Sequence, residues 1–270
     1  MSESESSNFA EKVNSVANLV KEVPIYQDAI QPIAQETGKA LHTVGRVVNV
    51  ALMPLKGAVW GFEQIEEFVT KKVTKKLVDT PTERIQTPDL SVAGPALESL
   101  RYTGHKESLS DLYANLLASS MDTETAKGAH PGFVEIIRNL CPDEAKIISF
   151  FAKEATQPLV DIRLYDDSNE SHCTLHENIS TLGSQSGCEN KELTQSYLTN
   201  LSRLGLIEIP RLLAMAETDK YQLLKNDSRI KSKLEDLISS SKNRPELFLH
   251  YAVLTPFGRL FCKVCVESKA

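Results

Sequence analysis

The chain has 270 residues, 41% of them apolar and 24% charged, close to globular averages, which excludes a chain disordered throughout, a collagen-like fibre and a disulfide scaffold. Thirty Lys and Arg against 36 Asp and Glu give a net charge of −6, and no segment is a strongly basic nucleic-acid arm. This length predicts one large domain or two, and the composition along the chain favours two: a disordered Ser/Glu-rich tail over 1–8, a helical domain over 9–140 and a second domain over 141–270.

From Phe9 to Val23 the residues Val13, Val16, Ala17 and Val20 recur at helical spacing, and Pro24 stops or restarts the helix. A second helical stretch is expected from Ile25 to Val50. Leu41, Val44, Val48, Leu52, Leu55, Val59 and Phe62 step by three or four residues, while Val47, Val50, Ala51 and Ala58 make the other face apolar too. A helix apolar on all sides is buried by neighbours or lies in lipid. The run Val47–Phe62 is only 16 residues long and contains Asn49, Pro54 and Lys56, so a clean transmembrane helix is not expected. Val47, Leu52, Leu55, Val59, Trp60 and Phe62 are the candidate membrane or oligomerisation residues, and Gly57 and Gly61 between them suit close helix packing. The helix is expected to kink or restart at Pro54 and to run to Leu77.

Residues 79–95 hold Pro81, Pro88 and Pro95 among Thr, Asp and Ser, the composition of a connector. A helix is predicted from Pro95 to Tyr102 with proline at its first position. Another is predicted from Ser108 to Met121, with Leu109, Leu112, Tyr113, Leu116 and Leu117 on one face. His130-Pro131-Gly132 breaks the chain before a helix over Phe133 to Leu140.

The phrases GPALE, RYTG, YANLLASSMD and AHPGFVEII, in that order between Gly94 and Phe150, together with GKALHTVGRVVNVALMPLKGAVWGFEQI upstream, resemble the Abi-alpha (abortive infection alpha) family of bacterial proteins over roughly residues 25–155. The resemblance implies a bacterial protein linked to phage defence by cell suicide or dormancy, and it supplies no catalytic residue.

After Pro142 the order of elements changes. Pro142-Asp143-Glu144 is a helix start with acids in the first turn, and Ala145, Ile147, Ile148 and Phe151 give it a buried face. In Pro158–Tyr165, Val160, Ile162 and Leu164 alternate with Asp161 and Arg163, the period of a half-buried strand. Thr174–Gly187 reads as a short helix closed by a turn. Asn190–Leu204 reads as a longer helix with Leu193, Tyr197, Leu201 and Leu204 inward. Leu206–Ile209 and Leu247–Leu254 read as strands, and Thr255-Pro256-Phe257-Gly258 opens a last helix. This order resembles a winged helix in which residues 210–246 are an enlarged wing. The expected fold class is therefore mainly α: a helical N-terminal domain followed by a winged-helix-like α+β domain with an enlarged helical wing.

On that reading the outward face of the long helix carries Lys191, Gln195, Ser196, Thr199 and Arg203, the candidates for binding a partner or nucleic acid. Glu189 and Glu192 in the first turn disfavour DNA, so a protein-interaction module is the leading reading and a winged-helix DNA-binding regulator of transcription the alternative. Cys173, His176 and Cys188 are weak zinc candidates by residue type alone, and Cys262-x-x-Cys265 reads as small core thiols within an apolar helix. No metal or other cofactor is expected. Paired nucleophile and base, phosphate loops and metal-binding carboxylate pairs do not appear, so no enzyme activity is expected.

The five cysteines are an odd number, and the start MSESESSNFAEKV lacks the basic and apolar regions of a secretory signal, so a reduced, cytoplasmic protein is expected, with membrane association on activation as one version. The function expected overall is a non-enzymatic antiphage protein with a helical effector or oligomerising half and a half that docks a protein partner or a second copy.

Overall fold

The computed structural model describes residues 45–47, 68–166, 171–210, 213–216, 218–240 and 243–267. The described residues are mainly α, with a small four-stranded antiparallel sheet. The helices expected over Phe9–Val23 and Ile25–Val50 lie outside the described residues except for 45–47, which are helical. Two compact units emerge. The first contains, of the described residues, 45–47, 68–104 and 113–131; the second contains 105–112 and the described residues from 132 to 267.

In the first unit a π-helical turn Val69–Val73 leads into a short helix α1 (Thr74–Lys76), and the apolar residues Val73 and Leu77 are buried. The expected connector holds a 3-10 turn at Thr82–Arg84 and is tied down rather than loose. Ile85 bridges Asp122, the Gln86 N–H donates to the Met121 carbonyl (2.8 Å), and the Arg84 guanidinium donates from Nε (3.0 Å) and Nη2 (2.7–2.8 Å) to the Asp122 carboxylate. Asp122 closes the phrase YANLLASSMD, so that phrase ends on the residue that clasps the connector.

The next helix, α2 (Leu90–Thr103), begins five residues before the expected Pro95. Asp89 is the reason: its Oδ1 accepts from the Ser91 N–H at 2.8 Å, a stronger start signal than proline, which then sits inside the helix. Helix α3 (Glu107–Ser120) has all five expected inward residues buried, Leu109 and Leu112 in the second unit and Tyr113, Leu116 and Leu117 in the first.

In the second unit, α4 (Gly132–Arg138) and α5 (Pro142–Lys153) form where helical periodicity places them. Strand β1 (Thr156–Tyr165) pairs with β4 (Arg244–Leu254) along an unbroken antiparallel ladder from Thr156↔Val253 to Tyr165↔Arg244. The sheet order is β2-β1-β4-β3, with β2 at His172–Ile179 and β3 at Ile207–Glu208. Part of the short helix expected over Thr174–Gly187 is thus a strand, and only α6 (Leu182–Gln185) is helical. Two register shifts against β1 pass over Leu175 and over Glu177 and Asn178, and the inward positions Thr174, His176 and Asn178 are polar while Leu175 is exposed, so no apolar alternation reveals the strand. Asn178 takes φ 53°, a conformation asparagine tolerates.

One face of the sheet is sealed by helices from the segment read as an enlarged wing. Tyr221, Leu224 of α8 (Gln222–Lys225) and Ile230 of α9 (Ser228–Ser240) bury Val160, with Leu234, Leu247 and Leu249 packed at the edge. The Tyr221 hydroxyl donates to the His250 carbonyl at 2.8 Å. β1 is buried on both faces, since Leu159 and Asp161 alternate with Val160 and Ile162 and all four are buried. The exposed polar face expected for this strand is therefore absent at Asp161.

Between β1–β2 and β3 lies α7 (Thr194–Arg203), preceded by a 3-10 turn at Lys191–Leu193. Its buried residues are Thr194, Tyr197, Leu198 and Leu201, whereas Leu193 is exposed and Leu204 half-buried. The chain turns at Gly205, φ 72°, into β3. Helix α10 (Pro256–Phe261) is capped by Thr255, whose Oγ1 accepts from the Gly258 N–H at 2.8 Å, and the chain ends its described part in a π-turn at Cys262–Val266.

A Cβ on Gly258 would collide with the Leu206 carbonyl, which is backbone and cannot swing aside. Gly258→Ala is therefore expected to cost about 1–3 kcal/mol, read as a fall in thermal midpoint. An unchanged midpoint would mean that α10 and the start of β3 do not approach this closely.

Candidate functional site

The outward residues of α7 and its leading turn, Lys191, Gln195, Ser196, Thr199 and Arg203, are all exposed and share one side of the element. What fixes that side is the N-terminus of α5. Two successive carboxylates there, Asp143 and Glu144, are almost fully buried.

Asp143 takes donors from three segments. Its Oδ1 accepts from the Glu189 N–H (3.0 Å) and the Lys146 ammonium (3.0 Å), and its Oδ2 from the Asn190 N–H (2.9 Å) and the Tyr197 hydroxyl (3.2 Å). Burial works against ionising Asp143, but the Asn190 and Glu189 N–H groups and Lys146 outweigh it and hold the carboxyl down at about 2. Tyr197 responds in the opposite direction: burial, with the negative charge of Asp143 nearby, pushes its hydroxyl up to about 12. The Cys188 thiol points at the Asp143 carbonyl (3.6 Å), so the loop leading into α7 is stitched to α5 by backbone and side chains together.

Glu144 closes the start of α5 by accepting the Cys141 N–H at Oε2 (2.7 Å), and its Oε1 accepts from Asn200 Nδ2 of α7 (2.8 Å). Asn200 also donates to the Asn139 carbonyl (3.1 Å), while its Oδ1 accepts from Arg203 Nε (2.9 Å) and Nη2 (2.7 Å). Sequence reading placed Arg203 on the surface and missed Asn200 behind it. The available signal was the pairing of Asp143-Glu144 with an amide on a later helix, which no local spacing reveals.

A second buried polar group joins three strands. Asp161 Oδ1 accepts from the Asn178 N–H of β2 (2.9 Å) and lies 2.8 Å from His250 Nε2 of β4, and Arg163 reaches Oδ2 at 3.4 Å. Burial opposes the charge on Asp161, and the His250 bond, the Asn178 N–H and Arg163 prevail, lowering its pKa. The Arg163 guanidinium lies 3.3 Å from the centre of the Phe248 ring. This group was not foreseen, because its two halves are 89 residues apart.

The zinc candidates are not assembled. Cys173 is exposed on edge strand β2, His176 faces Lys233 at 3.3 Å, and Cys188 is buried against Asp143; among the described residues no group of His, Cys, Asp or Glu could hold a metal ion. Cys262 and Cys265 are buried, and burial pushes the Cys262 thiol up to about 12, far from a reactive thiolate. Of the membrane or oligomer candidates, Val47 is helical and half-buried, while Leu52, Leu55, Val59, Trp60 and Phe62 lie outside the described residues. Among the described residues no helix is long and apolar enough to cross a membrane.

The sequence model of the abortive infection alpha family matches residues 61–265. No curated protein matches the chain. Among solved structures, an uncharacterized protein from the hydrocarbon-degrading marine bacterium Alcanivorax borkumensis SK2 is 17% identical over 50% of this chain and 93% of its own, with a TM-score of 0.36, too low to establish a shared fold. The family match begins at residue 61, so the upstream part of the expected span of roughly 25–155 lies outside it, and it runs well beyond residue 155 to take in β1–β4 and both acid-anchored helices α5 and α7. The chain therefore belongs to the abortive infection alpha family.

Proposed function

We propose that this protein is a non-enzymatic abortive infection factor that limits phage growth in a bacterial population at the expense of the infected cell. Family membership over residues 61–265 is the observation that carries the reading. Its helical N-terminal half acts as effector or oligomerising part, and its C-terminal half engages a protein partner through the outward face of α7. The order α5, β1, α6, α7, β3, β4 supports a winged-helix reading of that half, with β2 as an addition and the segment holding α8 and α9 as the enlarged wing. On this reading the protein is cytoplasmic at rest, and the segment over 41–62 brings it to the membrane when triggered.

The test is phage plating on cells with and without the intact gene, combined with survival of infected cells and fractionation before and during infection. Reduced phage yield with death or arrest of infected cells is expected. Equal plating on both strains across a broad phage panel would overturn the defence reading, and a protein that stays out of the membrane fraction throughout would remove the membrane step.

A further inference from the structure

The docking face of α7 carries one side chain that is aimed before any partner arrives. We infer that Arg203 is a pre-set fork for a carboxylate of a protein partner, with Asn200 and Glu144 as its positioning residues; this rests on the proposed role of α7 as a docking face. Both amide hydrogens of Asn200 are committed, one to the Asn139 carbonyl and one to Glu144 Oε1, which leaves its Oδ1 in a single orientation. That oxygen takes Nε and Nη2 of Arg203. Among the described residues nothing bonds the edge of the guanidinium formed by Nη1 and the second Nη2 hydrogen, and that edge matches the two oxygens of a carboxylate. An exposed arginine ordinarily loses rotamer freedom when it is bound; here the side chain is ordered in advance by its own helix and by the start of α5.

Charge selects a carboxylate over a nucleic-acid backbone. Duplex binding draws its affinity from neutralising many phosphates at once. The α7 face instead places Lys191 and Arg203 at its two ends, uncharged Gln195, Ser196 and Thr199 between them, and exposed Glu189 and Glu192 beside Lys191. One fork among neutral hydrogen-bonding groups suits one acidic side chain on the surface of the partner.

Two measurements on the full chain test this. In the first, sodium acetate and inorganic phosphate are titrated at constant ionic strength while the arginine Nε–H signals are followed by NMR. Acetate is expected to shift the Arg203 signal most, and the shift is expected to collapse in Asn200→Ala and in Glu144→Gln. An Arg203 signal that ignores acetate, that responds to phosphate alone, or that behaves in both variants as in the parent would overturn the inference.

In the second, Arg203→Lys and Arg203→Gln are compared with Thr199→Ala in the plating assay. Both arginine variants are expected to lose at least about tenfold of the protection with an unchanged thermal midpoint, and Thr199→Ala little. Full protection by Arg203→Lys would show that a point charge suffices and would sink the fork. If the parent itself gives no protection, the defence reading fails while the acetate titration still decides the fork.

Discussion

Leu201→Asp is expected to unfold the second unit. Leu201 is fully buried, on the inward side of α7 with Leu198, and its carbonyl accepts the Leu206 N–H at 3.0 Å at the turn into β3. A carboxyl group at this position must either remain charged in an apolar core or take up a proton, and both alternatives cost several kcal/mol. That matches the whole stability of an ordinary domain. Leu204, three residues on, is only half-buried, so Leu204→Asp reaches water and should cost no more than about 1 kcal/mol, mostly from a negative charge at a helix C-terminus. Thermal melts of the full chain followed by circular dichroism separate the two, with Lys191→Ala as a surface control expected within about 0.5 kcal/mol of the parent. A Leu201→Asp protein that melts like the parent would show that α7 is turned differently on its axis.

The helices were legible because their periodicity is local. In α3, five apolar residues at helical spacing all prove buried, and α5 starts at Pro142 as its first-turn acids indicate. For α7 the apolar letters suggest Leu193, Tyr197, Leu201 and Leu204 inward; Tyr197 and Leu201 are buried, but Thr194 and Leu198 complete the buried face in place of Leu193 and Leu204. A 3-10 turn leads into α7 and buries Thr194, whose hydroxyl donates to the Lys191 carbonyl and stands where a side chain on Gly183 would go. Threonine in a core face carries no apolar signal. Strand β2 gives no apolar period of two, because its inward residues Thr174, His176 and Asn178 are polar and Leu175 faces out. The buried acids could be seen only as letters: Asp143 finds the Glu189 and Asn190 N–H groups 46 and 47 residues later, and Asp161 finds His250 89 residues later. Their burial is a product of tertiary structure. The extent of the family, likewise, was visible only where its phrases are dense and not across the sheet.

Asp143 should set how the protein responds to acid. Asp143→Ala removes the acceptor shared by two backbone N–H groups, the Tyr197 hydroxyl and Lys146, leaving several donors with no partner in a buried setting. The expected loss is about 3–5 kcal/mol, enough to free the Cys188–Asn190 loop from α5. Asp143→Asn keeps the shape and one acceptor oxygen, so it should stay folded and reveal the charge alone. Because the folded-state pKa is depressed from 3.8 to about 2, the stabilisation from the ionised carboxylate is complete above the unfolded value and drains away as pH falls from about 4 towards 2. Near two pKa units correspond to roughly 2–3 kcal/mol. Asp161 and Asp227 are depressed as well and add to the parent's acid limb, but they do so equally in Asp143→Asn. The informative quantity is therefore the difference between parent and Asp143→Asn in urea unfolding. That difference is expected to be largest at neutral pH and to close as pH approaches 2. A difference that stays constant from pH 7 to pH 2 would mean that the Asp143 carboxylate is not the charged centre that fastens α7 to α5.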